Sequence, residues 1–143
     1  MAHSMLYFWA HVVWHTKDNV PFLIQPLRAQ LIHHIIEYAA RKGIIIDRLN
    51  GYDDHLHCLF RVRPHQAIGE IVGQIKGESS HWINYERLTP ERFAWQNGYG
   101  GFSVSLSHVP YVRRYVERQE ERHRTQSFDD EMKDLERRSR EFD

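Results

Sequence analysis

The order in which two hydrophobic periodicities follow one another along the chain restricts its fold more than any other feature. Short segments that alternate, or that are rich in β-branched and aromatic residues, predict strands at residues 5–14, 55–62 and 102–107, and a further strand that starts at residues 44–46 and ends before a turn at residues 50–54. Longer segments with apolar residues every three or four positions predict helices at residues 26–42 and 66–88. The order β-α-β-β-α-β predicts an α+β, ferredoxin-like or RRM-like antiparallel sheet backed by two helices.

A third helix and a charged segment follow this unit. Pro110 is acceptable in the first turn of a helix, and residues 111–124 are predicted to form one. Residues 127–143 are charged with few apolar side chains, which predicts a solvated helix or a frayed tail. The length of 143 residues predicts one domain over residues 1–143, with its core at about residues 5–126.

The third predicted strand has two different faces, because successive side chains in a strand point to opposite sides of the sheet. One face is apolar and is expected to pack under the helices: Leu56, Cys58, Phe60 and Val62. The other carries His55, His57, Leu59 and Arg61. Since two helices on one side leave the other side free, we expect both histidines to lie on an open surface.

Composition limits the classes of function. Nineteen basic and nineteen acidic side chains give a formal net charge of zero, which argues against a general nucleic-acid coat protein. An enzyme that holds a short, defined stretch of strand is still compatible with this balance. The single cysteine, Cys58, suits a reducing cytoplasm. No apolar run is long enough to predict a membrane span, and the N-terminus does not have the pattern of a signal peptide.

Two pairs of residues have the spacing of a catalytic site. His55 and His57 share one strand face and could bind one divalent ion, although a chance pair is an alternative in a chain with 11 histidines. Tyr115 and Gln119 stand one helical turn apart on one face. A phenol attacks phosphorus usefully only when a metal polarises the phosphate, so Tyr115 is either a metal-assisted nucleophile or an aromatic packing residue.

Four ordered segments then resemble one family. They are Asp54-His-Leu-His-Cys-Leu-Phe60, Ile75-Lys-Gly-Glu-Ser-Ser80, residues 95–105 (WQNGYGGFSVS) and residues 115–123 (YVERQEERH). Together they resemble the single-tyrosine, histidine-hydrophobe-histidine (HUH) transposases of bacterial single-strand insertion sequences, the insertion-sequence-200-like family. The similarity runs from about Leu6 to Glu131.

The resemblance implies a reaction and its residues. His55, His57 and Gln119 would hold a divalent cation, Mg²⁺ or Mn²⁺, and Tyr115 would attack the scissile phosphate of single-stranded DNA to form a 5′-phosphotyrosine bond. The implied partners are DNA hairpins at element ends, and a second copy of the chain in a homodimer whose sites are completed in trans. Tyr111 is a competing nucleophile, but the residue four positions beyond it is not a glutamine.

Other residues are candidates for supporting roles. Five basic side chains are predicted to touch DNA phosphates, with plain solvent exposure as the alternative: Lys76, Arg113, Arg114, Arg118 and Arg122. Asp54 either orients an imidazole or serves as a turn residue. The zero net charge departs from the more basic character of the family. The alternative function is an RRM-like module that binds single strands without cutting them.

Overall fold

A four-stranded antiparallel sheet forms the centre of the computed structural model, which describes residues 4–140. Its strands, in the order β2-β3-β1-β4, are β1 (Phe8–His15), β2 (Ile45–Gly51), β3 (His55–Val62) and β4 (Gly100–Val104). The helices are α1 (Leu27–Arg41), α2 (Ile68–Tyr85), α3 (Val109–Glu117), α4 (Gln119–Arg122) and α5 (Phe128–Arg140). The predicted β-α-β-β-α-β order and the α+β fold class are confirmed.

Helices α1 and α2 cover one face of the sheet. The strand residues buried there include Val12, Trp14, Leu56, Cys58 and Phe60, and they pack against Leu31, Ile35, Ile71, Val72 and Ile75 from the helices. Burying each large apolar side chain contributes about 1.5–3 kcal/mol, so this face supplies most of the hydrophobic stabilisation. Burial also raises the pKa of the Cys58 thiol, which marks this cysteine as a packing residue and not a nucleophile.

The opposite face of the sheet is covered as well, which corrects the prediction that both histidines lie on an open surface. Val109, Val112 and Val116 form an apolar stripe on α3 that packs against Leu59 and Val104. His55 and His57 are 0% exposed as a result. Strand alternation correctly placed the two histidines on one face. It carried no information about which later helix would cover that face.

Strand β2 starts within residues 44–46, as predicted, and it anchors α3. Its register against β3 shifts between Ile46 and Arg48. The intervening Asp47 accepts two hydrogen bonds from the Arg113 guanidinium on α3, both of 2.7 Å. Asn50 donates from its side-chain amide to the carbonyl oxygens of the last residues of α3. Gly51 closes the strand at a point where a Cβ atom would overlap the next strand's backbone.

The predicted helix at residues 111–124 is divided into α3 and α4. The backbone leaves helical geometry at Arg118, whose φ and ψ are −99° and 20°. Tyr115 and Gln119 therefore belong to different helices but remain one turn apart. The side-chain amide of Gln119 donates to the carbonyl oxygen of Tyr115 at 3.4 Å.

The charged C-terminal segment is a helix, α5, over Phe128–Arg140, and residues 141–143 lie outside the described part of the chain. The prediction of a solvated segment is wrong at Phe128 and Glu131, which are both buried. Their spacing of three places them on one helix face, turned toward the sheet. None of the helices within residues 4–140 is long and apolar enough to cross a membrane. The single domain over residues 1–143 stays a prediction.

Candidate metal and nucleophile site

Three imidazoles converge on one buried carboxylate. His55 and His57 come from β3, and His123 directly follows α4. Their Nε2 atoms stand 3.5, 2.9 and 3.0 Å, respectively, from Oε1 of Glu131 on α5. All four residues are buried. The covered face of the sheet therefore contains a compact polar cluster, which we call the histidine–glutamate cluster.

Gln119 belongs to the same cluster. Its side-chain Oε1 stands 3.1 Å from Nε2 of His55 and 3.0 Å from Nε2 of His123. Its side-chain Nε2 donates to Oε2 of Glu131 at 3.0 Å. The structure thus brings together the three side chains predicted as metal ligands, while their role as ligands stays a prediction.

Tyr115 reaches the cluster from α3. Its hydroxyl donates a hydrogen bond to Oε2 of Glu131. Its ring centroid lies 5.6 Å from that of His57. Tyr111, the competing nucleophile, is exposed and packs against His108. Of these two tyrosines, only Tyr115 contacts the cluster.

Three residues of the site were missed by the sequence analysis: His11, His123 and Glu131. His11 lies on β1, where its Nε2 stands 2.8 Å from Nδ1 of His57. The strand pairing that brings these two histidines together is not encoded in local spacing. His123 follows Tyr115 by eight residues, which is a weak helical signal. Glu131 is one acidic residue among many in the charged segment, and only its spacing from Phe128 distinguishes it.

Burial shapes the charge states of the two linked histidines. Burial lowers the pKa of His57 to about 4. It also lowers the pKa of His11 to about 3, with a further contribution from the nearby His57. Both imidazoles are therefore neutral at pH 7, the form in which histidine binds a metal ion. His55 differs: although burial opposes it, contacts with Asp54 and Glu131 raise its pKa.

The pKa values of the Glu131 carboxylate and the Tyr115 phenol are shifted in opposite directions. Burial alone would raise the pKa of Glu131, but hydrogen bonds with His123, His55 and His57 hold it below its usual range. The pKa of Tyr115 is raised, first by burial and then by the negative charge of Glu131. The carboxylate is thus charged and the phenol neutral at pH 7. A cation beside Glu131 would offset the charge that disfavours the phenolate.

The donor set fits a divalent metal ion. Ligand atoms of His55, His57, His123 and Glu131 all lie within 4.8 Å of one another. Imidazole nitrogens and a carboxylate oxygen are common ligands of divalent transition metals, and carboxylate and amide oxygens also suit Mg²⁺ and Mn²⁺. Asp54 stands 2.8 Å from Nδ1 of His55 and so orients this imidazole, as one of the two sequence interpretations expected.

The basic side chains predicted to touch DNA fall into two groups. Lys76 and Arg113 already have partners: the Lys76 ammonium donates to the carbonyl oxygens of Gln96 and Gly98, both at 2.7 Å, and Arg113 is paired with Asp47. The remaining three line a cavity of about 730 Å³ beside Tyr115: Arg114, Arg118 and Arg122. The Arg122 guanidinium lies 4.5 Å from the centroid of the Tyr115 ring.

Comparisons with known proteins identify similar chains. A family model described as "Transposase IS200 like" matches residues 4–119. The ISDra2 transposase TnpA of Deinococcus radiodurans is 25% identical over 117 residues, which cover 78% of this chain and 84% of that protein.

Two solved structures share the fold. A candidate transposase from Deinococcus radiodurans R1 has a TM-score of 0.65 at 22% identity, over 81% of this chain and 93% of the other. A REP-associated tyrosine transposase, solved with a REP hairpin bound to it, has a TM-score of 0.64 at 14% identity. That match covers 86% of this chain and 74% of the other.

Proposed function

The chain belongs to the IS200-like transposase family, and from this premise we propose that it cleaves and rejoins single-stranded DNA through a covalent bond to Tyr115. One observation carries the proposal. The Tyr115 hydroxyl contacts Glu131 within a buried cluster of three histidines and Gln119, where a divalent ion fits. A phenol needs such surroundings to act on a phosphodiester, since it is a weak nucleophile at neutral pH.

In the proposal, His55, His57 and Gln119 hold Mg²⁺ or Mn²⁺. When bound, such an ion polarises the scissile phosphate and neutralises charge in the transition state. The chain itself excludes bulk water, because the histidines and Gln119 are buried. It also fixes the direction of attack, because the hydroxyl hydrogen of Tyr115 points to Glu131 and leaves an oxygen lone pair free for phosphorus.

The reaction is a balanced exchange of ester bonds. The Tyr115 hydroxyl loses its proton as its oxygen forms a bond to phosphorus. The bond from phosphorus to the 3′ oxygen breaks, and the leaving strand takes up one proton in exchange, as a free 3′-hydroxyl. The product is a 5′-phosphotyrosine. Attack by another 3′-hydroxyl reverses these steps and joins two strands, so no nucleotide cofactor is consumed. A hydrolase that uses water as its nucleophile would have no role for Tyr115 at this position.

The cavity beside Tyr115 is the proposed path of the DNA strand. Arg114, Arg118 and Arg122 line it, and arginine guanidinium groups bind phosphate oxygens well. A short strand needs only a few such contacts, so the proposal is compatible with the zero net charge, and with the carboxylates of Glu121 and Asp130 that line the same cavity. Lys76 and Arg113 are less suitable for DNA contact, since their donors are engaged within the protein.

The proposed partners are DNA hairpins at element ends and a second copy of the chain. The REP-associated relative was solved with a hairpin, and this supports hairpin recognition here. The family resemblance implies a homodimer whose sites are completed in trans, and this stays a prediction. The geometry of a single chain instead supports a cis site, because Tyr115 and His57 already meet within it. We propose a cytoplasmic location, which suits the DNA substrate and the unpaired Cys58.

The RRM-like binding module is the weaker alternative. Such a module needs an accessible sheet face on which bases can stack. In this chain α1 and α2 cover one face, and α3 and the histidine–glutamate cluster occupy the other. A site of buried imidazoles around a carboxylate serves metal binding better than base stacking.

A labelled single-stranded DNA hairpin with an unpaired flank, incubated with the protein and Mn²⁺, tests the proposal. We expect a covalent protein–DNA adduct that survives denaturing electrophoresis and is absent from Tyr115→Phe. Tyr85→Phe, at an exposed tyrosine of α2, is the matched control and should form the adduct at the wild-type level. Tyr111→Phe, at the competing nucleophile, should also keep the adduct. An adduct that persists in Tyr115→Phe would contradict the assignment of the nucleophile.

A further inference from the structure

Glu131 is the carboxylate of the cluster, and the proposed function gives it no role in metal binding. It comes from α5 and not from the sheet or from the helices that carry Tyr115 and Gln119. Its carboxylate is 0% exposed, and burying a charge is costly unless strong partners compensate for it. The Arg122 guanidinium stands 3.8 Å from Oε2 and is a partial partner for this charge, while Oε1 faces the imidazoles.

The three histidines around Glu131 are oriented like histidines that bind a metal ion. In each, the Nε2 atom faces the carboxylate while the Nδ1 atom is held by another group. These groups are Asp54 for His55, His11 for His57, and the carbonyl oxygen of Gln126 for His123, each at 2.8 Å. Metal-binding histidines almost always have their second ring nitrogen fixed in this way.

The spacing of the inward-facing atoms fits a shared ion. Oε1 of Glu131 is 2.9 Å from Nε2 of His57 and 3.0 Å from Nε2 of His123. Neighbouring ligands of an octahedral ion stand about 3 Å apart when each is about 2.1 Å from the ion. These two pairs of atoms have the separation that joint coordination requires, while Nε2 of His55 stands farther from Oε1, at 3.5 Å, and all four ligand atoms lie within 4.8 Å of one another.

The second carboxylate oxygen faces the nucleophile. Oε2 of Glu131 accepts hydrogen bonds from the Tyr115 hydroxyl and from the Gln119 amide. One carboxylate therefore joins the proposed metal position to the proposed nucleophile. Phe128, buried one turn earlier on α5 and 4.5 Å from the His55 ring, fixes the helix that delivers it.

We propose that Glu131 is the anionic ligand of the metal ion, with His123 as a third imidazole ligand, and that its other oxygen positions Tyr115 beside that ion. This inference rests on the proposed function for the role of Tyr115, but the metal-binding part stands independently of it. Helix α5 is then a part of the catalytic centre, and not an appendage to the sheet.

The opposing interpretation is that Glu131 blocks the site. In that case the carboxylate occupies the position of a substrate phosphate and must leave before DNA binds. The two interpretations predict opposite results for one substitution. Glu131→Gln keeps the size of the side chain but removes its charge. A ligand would be weakened by this change, whereas removal of a blocking group would leave metal binding intact and increase adduct formation.

The experiment titrates the metal-free, full-length protein with Mn²⁺ in the absence of DNA, by calorimetry and by the loss of the free Mn²⁺ electron paramagnetic resonance signal. Glu131→Gln is expected to weaken Mn²⁺ affinity at least 10-fold. Asp129→Asn, which removes an exposed carboxylate from the same helix, should stay within twofold of wild type. Mn²⁺ affinity at the wild-type level in folded Glu131→Gln would overturn the proposal.

A second variant serves if Glu131→Gln does not fold, and a rate measurement tests whether Glu131 positions Tyr115. If Glu131→Gln does not fold, as judged by circular dichroism, Glu131→Asp keeps the charge but withdraws the carboxylate by one methylene, and it should still bind Mn²⁺ less tightly than wild type. At saturating Mn²⁺, the single-turnover rate of adduct formation should fall about 10-fold or more in Glu131→Gln while DNA affinity is unchanged. An unchanged rate would overturn the positioning role.

Failure of this inference can be told apart from failure of the proposed function. If wild type forms no adduct with any hairpin, but Glu131→Gln loses Mn²⁺ affinity, the cluster is a metal site and the strand-cleavage function is wrong. If wild type forms the Tyr115 adduct, but Glu131→Gln binds Mn²⁺ normally, the function stands and the role of Glu131 as a ligand is wrong.

Discussion

Nδ1 of His57 stands 2.8 Å from Nε2 of His11, across the paired strands β3 and β1, with both side chains buried. A ring nitrogen held in this way fixes the orientation of the imidazole, so that its other nitrogen points toward the proposed metal position. His11 therefore acts on the site through His57, and it does so from a strand that carries none of the predicted ligands.

Replacement of His11 tests this positioning role. His11→Ala leaves Nδ1 of His57 without its partner, and we expect Mn²⁺ affinity to fall about 10- to 100-fold, as for loss of other groups that orient ligands. Calorimetry on the metal-free protein measures the change. His81→Ala, which removes an exposed histidine from α2, is the control and should bind Mn²⁺ normally. An affinity of His11→Ala within twofold of wild type would contradict the role.

A mixing experiment decides between cis and trans sites. Tyr115→Phe lacks the nucleophile and His57→Ala lacks a metal ligand, so neither is expected to form an adduct alone. Because the rings of Tyr115 and His57 lie 5.6 Å apart within one chain, we expect their mixture to remain inactive as well. Recovery of the adduct in the mixture, to about a quarter of the wild-type level when equal amounts reassort at random, would instead show that two chains share each site.

The cavity arginines should contribute to DNA affinity, and their neighbours should not. Arg122 lines the cavity and lies over the Tyr115 ring, whereas Arg124 is exposed and is not among the residues that line this cavity. Arg122→Ala should weaken binding of single-stranded DNA and reduce the slope of log K against log salt by about 0.7. Fluorescence anisotropy at several salt concentrations measures both. Equal losses in Arg122→Ala and Arg124→Ala would exclude a specific strand path.

Stability of the metal-free protein should fall as the medium becomes acidic. His11 and His57 have folded-state pKa values of about 3 and 4, below the ordinary value of 6.5 that applies after unfolding. Between pH 6.5 and 4.5 the unfolded chain therefore binds more protons, and stability decreases as pH decreases. The slope is up to about 1.4 kcal/mol per pH unit for each histidine.

Two other groups do not reverse this sign within that window. The raised pKa of His55 leaves it protonated in both states below 6.5, and Glu131 takes up a proton only near its ordinary 4.5 after unfolding. Urea unfolding at pH 6.5, 5.5 and 4.5 measures the trend. His11→Gln has one titrating group fewer and should show a shallower dependence. A slope identical to that of wild type would mean that His11 is not held neutral by burial.

Local patterns in the sequence correctly predicted features that depend on a single strand or helix. Alternation along residues 55–62 placed His55 and His57 on one face of a strand, and helical spacing placed Gln119 one turn after Tyr115. The element order was sufficient for the antiparallel α+β sheet, because short connections between such elements allow few arrangements. These features depend on backbone geometry within a few residues, which the sequence expresses directly.

Features that depend on distant segments were missed. The charged segment after residue 127 offered no local reason to bury Glu131, since the contact of Glu131 with His57 on β3 spans 74 residues. His11 was missed for the same reason, as its contact with His57 spans 46 residues. Both contacts follow from packing in three dimensions and not from periodicity.

By itself, then, the sequence determined the fold class and the family resemblance, and it predicted four site residues: Tyr115, Gln119, His55 and His57. Only the tertiary structure decided that these residues are buried and that α5 adds Glu131 to them. The physical reason is that a strand face becomes a closed site when later helices cover it, and the fit of those helices depends on the whole apolar surface that they bury.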